Sequence, residues 1–223
     1  DIESLMSDCE SLLKAILRAI GQDRFAWQGN FCDAFKPWQR LTVAQAFGDY
    51  AGIDLMASID NDNEPDPRPL ALQAKRIGVT PQEQDRWEDI FFRIFLERIE
   101  PRLGMEAPTF LTGYPMCMAA LARRDPNNSK LAQRFELYVA GLELANAFGE
   151  LTDANEQRRR FERDQQMKFI LYGEHYPIDD DFISALSYMP ECSGIALGFD
   201  RLVMLASHAP TIDEVIWLPV IRP

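Results

Sequence analysis

Two sets of residues in this 223-residue chain have the types and spacing to do chemistry. The first is Ser193-Gly194-Ile195-Ala196-Leu197-Gly198-Phe199-Asp200-Arg201-Leu202-Val203, a glycine-punctuated apolar strand that runs into an Asp-Arg pair and an apolar helix. Glycines there let backbone approach a flat ligand closely, because a side chain would fill the space the ligand needs. Arg201, set in the first helical turn by the packing of Leu202, Val203 and Leu205, can fork onto a phosphate. A plain strand-to-helix turn has the same outline, so the motif needs company.

The second set supplies it. Phe135 to Leu151 reads as two strands turning at Ala140-Gly141, with Val139 facing Leu142, Tyr138 facing Glu143 and Glu136 facing Ala145. Side chains alternate faces, so Glu136 and Glu143 become diagonal neighbours on one face. Glu143 and Glu150 are an odd number of residues apart, and a bulge or a strand break near Ala145 to Gly149 is needed to bring Asn146 and Glu150 to the same side. Two carboxylates this close repel unless a cation sits between them, and Mg²⁺ prefers such hard oxygens together with phosphate. The strand pattern alone equally allows glutamates that merely face solvent.

The elements that must position these residues are legible from periodicity and caps. Ile2 to Ile20 carries apolar residues at helical spacing and stops at Gly21; Thr42 to Gln45 carries a capping box that opens a short helix ending before Gly52. Residues 58–69 have loop composition, and their acids do not make a calcium loop, because Pro65 and Ala71 stand where Gly and Glu are required. Thr80-Pro81-Gln82-Glu83 predicts the start of a helix that buries Trp87, Ile90, Phe91, Ile94, Phe95 and Ile99. Thr109 to Thr112 reads as a strand, Asp153 as a helix cap, Arg158-Arg159-Arg160 as a solvated face, and Asp179 to Asp181 as the start of a further short helix. The whole predicts an α+β fold, an antiparallel sheet flanked by helices, as one domain over 1–223: mostly helical over 1–105, sheet over 106–223.

With 23 basic and 35 acidic residues, net −12, the surface repels a nucleic-acid backbone and suits a basic protein partner better than tRNA. Cys9, Cys32, Cys117 and Cys192 lack paired spacing, and only two histidines could complete a zinc site; reduced thiols in a cytoplasmic protein are expected. No signal peptide is recognisable, and the longest uncharged run, 107–122, is too short to span a bilayer.

Pro108 to Pro115, Arg134 to Tyr138, Glu143 to Ala154 and Gly194 to Arg201 resemble, in that order, the C-terminal half of class II lysyl-tRNA synthetases, and still more the truncated paralogue, the elongation factor P (R)-β-lysine ligase family. The resemblance implies a class II aminoacyl-tRNA synthetase-like catalytic core that uses ATP and Mg²⁺. It implies that Glu136 and Glu143 bind metal and nucleotide, that Gly198, Asp200 and Arg201 form motif 3 with Arg201 on the ATP γ-phosphate, and that Asn146, Phe148, Glu150 and Ala196 shape the amino-acid pocket. Gly113, Met116, Cys117 and Met118 should neighbour that pocket. Ala196 stands where the synthetases usually carry glycine, as in the ligases. The implied substrate is lysine or (R)-β-lysine and the implied acceptor elongation factor P, with tRNA second; a module that binds ATP without turnover is a third reading. Motifs 1 and 2 are not found; Phe92-Arg93-Ile94-Phe95 has only a superficial likeness to motif 2, inside a helical pattern. The chain thus resembles a C-terminal portion, whose lack of the motif 2 arginine should cost adenylation on the order of 10²-fold; a homodimer fits the full-length form.

Overall fold

Helix α1, Ile2–Ile20, begins where the Asp1 side chain accepts the Ser4 N–H and ends where Gly21 turns left-handed. Its stripe of Met6, Cys9, Leu13 and Leu17 is buried against one face of a five-stranded sheet. In this computed structural model, which describes residues 1–60 and 63–218, the chain continues through a small antiparallel hairpin, β1 (Phe25–Trp27) and β2 (Asn30–Cys32). Strand β3 (Gln39–Thr42) leads into α2 (Val43–Ala51), which opens on the predicted Thr42–Gln45 capping box and closes on a left-handed Gly52.

Helices α3 (Pro67–Arg76) and α4 (Trp87–Ile94) follow; a π-helical segment, Phe95–Ile99, extends α4. Next come β4 (Thr109–Pro115), β5 (Leu131–Val139), β6 (Leu142–Gly149), α5 (Ala154–Tyr172), α6 (Asp180–Leu186), β7 (Ser193–Leu197) and α7 (Phe199–Ser207). The main sheet has the order β3-β4-β5-β6-β7, in which β3 and β4 are parallel and every other neighbouring pair is antiparallel. One face buries Phe110, Phe135, Leu137, Leu144, Ala145 and Ala147 under α1 and α7. The other buries Leu111, Tyr114 and Tyr138 under α2, α3 and α4, but only over the β4–β5 side. Over β6 and β7 that second face is open, and the site lies where the cover stops.

Three local expectations are corrected. Residues 58–69 are not all loop: Asp66 caps α3, whose first turn accepts Pro67 and Pro69 because their missing N–H groups have no helical partner there. Helix α4 begins at Trp87, not near Thr80. The Asp85 carboxylate accepts both the Gln82 N–H at 2.8 Å and Arg93 Nε at 2.7 Å, which holds that segment in a turn, and Asp89 accepts the Arg86 N–H at the true helix start. Arg93, inside the motif 2 look-alike, is thereby tied into an ion pair. Arg158, Arg159 and Arg160 are not a uniform solvated face either, because the Arg160 side chain is only 11% exposed and binds two backbone carbonyls. Asp62, one of the acids in the rejected calcium loop, lies outside the described residues.

Candidate functional site

Glu143 and the residues after it reach one face through a bulge. Val139 pairs with Leu142 and Tyr138 with Glu143 as predicted, but Leu137 then pairs with Ala145 and Glu136 with Asn146. Leu144 is the extra residue, just before the stretch in which the sequence predicts it. Leu144 and Ala145 consequently both enter the apolar core. The slip restores parity: Glu136, Tyr138, Glu143, Asn146, Phe148 and Glu150 share the open face, with Ala196 opposite Asn146 and Gly194 opposite Phe148 on β7.

Glu136 is 8% exposed and engaged at both oxygens. Arg134 Nη2 donates to Oε1 at 2.7 Å, the Tyr138 hydroxyl to Oε2 at 2.6 Å, and Asn146 Nδ2 more weakly to Oε1 at 3.4 Å. Arg134 is itself fixed. Its Nη1 donates to the Met118 carbonyl at 2.8 Å, and its guanidinium lies 4.3 Å from the Tyr114 ring centroid and 5.6 Å from that of Phe148. Burial, then the Glu136 charge, pushes the Tyr114 and Tyr138 hydroxyls well above the usual phenol range, so both remain protonated.

Glu143 is the more available carboxylate, with its side chain 35% exposed. Burial first and Glu136 second raise its pKa, while Arg201 opposes the rise. Arg201 folds back over Gly198, where a Cβ would sit 3.3 Å from its Cδ, and Nη1 donates to the Glu143 carbonyl at 2.7 Å with the Glu143 carboxylate at 3.8 Å. Gly198 caps α7, and its N–H reaches the carbonyl of the bulged Leu144 at 2.9 Å, which ties the arginine-bearing helix to the bulge. Asp200 faces outward on the first turn of α7, complementing the positive end of that short helix, and is not part of the carboxylate cluster.

A carboxylate that sequence reasoning does not single out joins this end. Glu100 is part-buried, and its pKa is raised by burial and by Glu136 and lowered by Arg201. Its segment is clamped to the hairpin turn, where the Ala140 and Gly141 N–H groups donate to the Gly104 and Leu103 carbonyls at 2.7 and 3.0 Å. Gly104 has φ +68°, and a Cβ there would strike the Tyr138 carbonyl.

Glu150 stands at the other end, and its carboxylate has no hydrogen bond or ion pair among the described residues. Burial alone raises its pKa. Its backbone is held by a bridge to Ala122 and by its N–H to the Cys192 carbonyl at 3.0 Å, while its carboxylate lies over Gly194. Phe148 packs beside it against Ala119, Ala122 and Ala132. The 119–122 turn is pinned by Arg160, whose Nη1 donates to the Ala120 and Ala122 carbonyls at 2.8 Å each. Met116, Cys117 and Met118 line a cavity of about 260 Å³ with Arg134 and Arg160, whereas Gly113 lies against Thr42 and Leu131. Burial pushes the Cys117 thiol up to about 12, so it stays protonated at neutral pH.

The profile of class II tRNA synthetases (D, K and N) matches residues 1–222. The chain belongs to this family. It is 37% identical over its whole length to an elongation factor P (R)-β-lysine ligase from Proteus mirabilis (strain HI4320), covering 62% of that protein. It is also 34% identical to the lysine–tRNA ligase of Carboxydothermus hydrogenoformans, covering 44% of it, and 35% identical to that of Moorella thermoacetica, again covering 44%. The chain thus spans between two-fifths and two-thirds of the length of these relatives. Among the described residues no helix is long and apolar enough to cross a membrane.

The family's general need for ATP and Mg²⁺ can be tested against the donors present. A magnesium ion bound with a triphosphate needs one or two carboxylates, the remaining ligands being phosphate oxygens and water. Glu143 fits, since burial and Glu136 make its lone charge costly and a cation would relieve that cost. Glu136 fits as the second through the remaining lone pair of Oε2, which among the described residues accepts only from Tyr138, while Oε1 keeps Arg134 and Asn146. Arg134 and Tyr138 are legible in retrospect, because they flank Glu136 at two residues on the same strand face. No local signal marks Glu100 or Arg160, whose roles come from distant contacts.

Proposed function

We propose that the protein of which this chain is part uses ATP to activate lysine or (R)-β-lysine as an aminoacyl adenylate and transfers the acyl group to a lysine side chain of elongation factor P. The observation that carries this reading is the unpartnered, part-buried Glu150 carboxylate on the same sheet face as the Glu143–Arg201 pair. A lone carboxylate kept from water is costly unless its ligand brings a cation, and a lysine-type ammonium does so. Asn146 and Phe148 flank that ammonium, and Ala196, opposite Asn146, narrows the pocket by one methyl relative to glycine.

At the other end, Arg201 binds the γ-phosphate, while Glu143 with Glu136 behind it would hold Mg²⁺, which supplies charge neutralisation to the triphosphate. Glycine at 198 leaves room for the arginine to lie close to the strand. Asp200 caps the arginine helix electrostatically. The substrate carboxylate oxygen attacks the α-phosphorus, the bond to the β-phosphate oxygen breaks, and pyrophosphate leaves. The acceptor amine then attacks the acyl carbon, releasing AMP and a proton. Positioning and electrostatics carry the rate.

The test is ATP–pyrophosphate exchange by the full-length protein with α-lysine and (R)-β-lysine, followed by acyl transfer to elongation factor P and to tRNA. Lysine-dependent exchange that falls by ~10²-fold or more in Arg201→Ala, with transfer to the protein acceptor, is expected. Charging of tRNA instead would make the protein a lysyl-tRNA synthetase, and nucleotide binding without exchange would make it a non-catalytic module. The acidic net charge of −12 favours the protein acceptor.

A further inference from the structure

We propose that Gly194 is a specificity-determining position: its missing side chain fixes where the Glu150 carboxylate stands, and so how long an amine-bearing side chain the site accepts. The inference rests on the lysine-activating reading above. Gly194 pairs with Phe148 and Ser193 with Gly149, which brings Glu150 just past the last rung of the β6–β7 ladder. The Glu150 backbone is held from both sides, by Ala122 and by Cys192, and the following Leu151 N–H donates to the Leu121 carbonyl at 3.0 Å. Only its side-chain torsions are free.

The carboxylate turns back over β7. A Cβ built on residue 194 would overlap Glu150 Oε1 and sit 3.5 Å from its Cδ, and it would meet nothing else within 4 Å except Cγ of the same side chain. Nothing in the backbone asks for glycine, since Gly194 is not among the residues of positive φ. The contrast with Gly104 is direct: there a Cβ strikes backbone and φ is +68°, so glycine serves the fold. At 194 the only obstacle is the far end of a mobile side chain. Glycine there serves the position of one charge. Among the described residues no hydrogen bond holds that charge in place, so the shape of the strand beneath it and the arriving ammonium are what locate it.

The experiment is a double-mutant cycle in the full-length protein, read by ATP–pyrophosphate exchange with lysine, its one-methylene-shorter homologue ornithine, and norleucine, which lacks the ammonium. Gly194→Ala is expected to lower kcat/KM for lysine by about tenfold through KM, as for a displaced ion-pair partner. It should leave KM for ATP and the weak norleucine rate within about twofold, and shift the lysine-to-ornithine ratio. In a Glu150→Asp background, where the carboxylate is one methylene shorter and no longer reaches over residue 194, the same substitution should cost less than about twofold. Equal cost in both backgrounds, an equal rise in KM for ATP, or no change in KM for lysine overturns the proposal while leaving lysine activation standing. Absence of lysine-dependent exchange in the unsubstituted protein overturns both. If Gly194→Ala lowers the melting temperature, that loss should vanish in a Glu150→Ala background; a loss that persists there means that the fold itself needs glycine, and the proposal fails.

Discussion

Glu136 and Glu150 are two carboxylates on one sheet face, Glu150 four residues along the chain from the Asn146 that pairs with Glu136, and the protein treats them in opposite ways. Glu136 receives an arginine, a tyrosine hydroxyl and an asparagine amide from its own chain, whereas the Glu150 carboxylate receives nothing among the described residues. A charge that the fold already balances can orient ligands without changing its state. One that the fold leaves unbalanced selects a ligand bearing the opposite sign. The price of that selectivity is a raised pKa in the unliganded protein.

The sharpest way to break the contrast is to make Glu136 resemble Glu150. Arg134→Met removes the cation from a carboxylate that is 8% exposed and should destabilise the fold by ~3 to 5 kcal/mol, measured by urea denaturation. Glu150→Gln is the converse test. It should leave urea stability unchanged or slightly higher, yet lower lysine kcat/KM by ~10²-fold relative to norleucine, because the ammonium loses its partner. A smaller effect is expected from Tyr138→Phe, which removes one donor from Glu136 and should cost about 1 to 3 kcal/mol by the same denaturation assay.

The mildest test uses pH. Glu100, Glu143 and Glu150 have raised pKa values, so the native state takes up protons before the unfolded chain does as pH falls from neutrality toward 4.5, the ordinary glutamate value. In that window these groups make stability rise as pH falls, while lysine binding, which in the proposed site needs ionised Glu150, should weaken. Opposite slopes of melting temperature and lysine affinity are the expected result, and parallel slopes would contradict it. Asp85 and Glu156, held low by Arg93 and by Arg159 with Arg160, contribute the reverse dependence below the window.

Where a single element carried its own instructions, the sequence was legible. Helices α1 and α2, the Asp153 and Asp179 caps and the Ala140-Gly141 turn follow from spacing and capping chemistry that lie within a few residues. Contacts over distance overruled local signals elsewhere. Thr80-Pro81-Gln82-Glu83 has every mark of a helix start, but Asp85 is drawn to Arg93 eight residues on, and the helix starts later. The parity of Glu143 against Glu150 showed that a bulge was required. Its position at Leu144 depends on which residue the opposite core can accept, and that is written in α1 and α7. Arg160 reads as surface until the 119–122 turn arrives beneath it.

The extra residue in β6 divides the second hairpin arm into a point that can absorb a change in chain length and a regular stretch beyond it that cannot. Loss of Leu144 alone would leave Glu143, Ala145 and Asn146 in regular alternation on their present faces, whereas deleting or inserting one amino acid between Asn146 and Phe148, where no bulge can absorb it, would exchange inside for outside along the rest of the strand and send Phe148 and Glu150 toward α1. In a mutational library this arm should therefore accept many single replacements at Leu142 and tolerate loss of the bulge residue, yet reject one-codon changes in spacing beyond Asn146, so that selection there acts on counting rather than on identity.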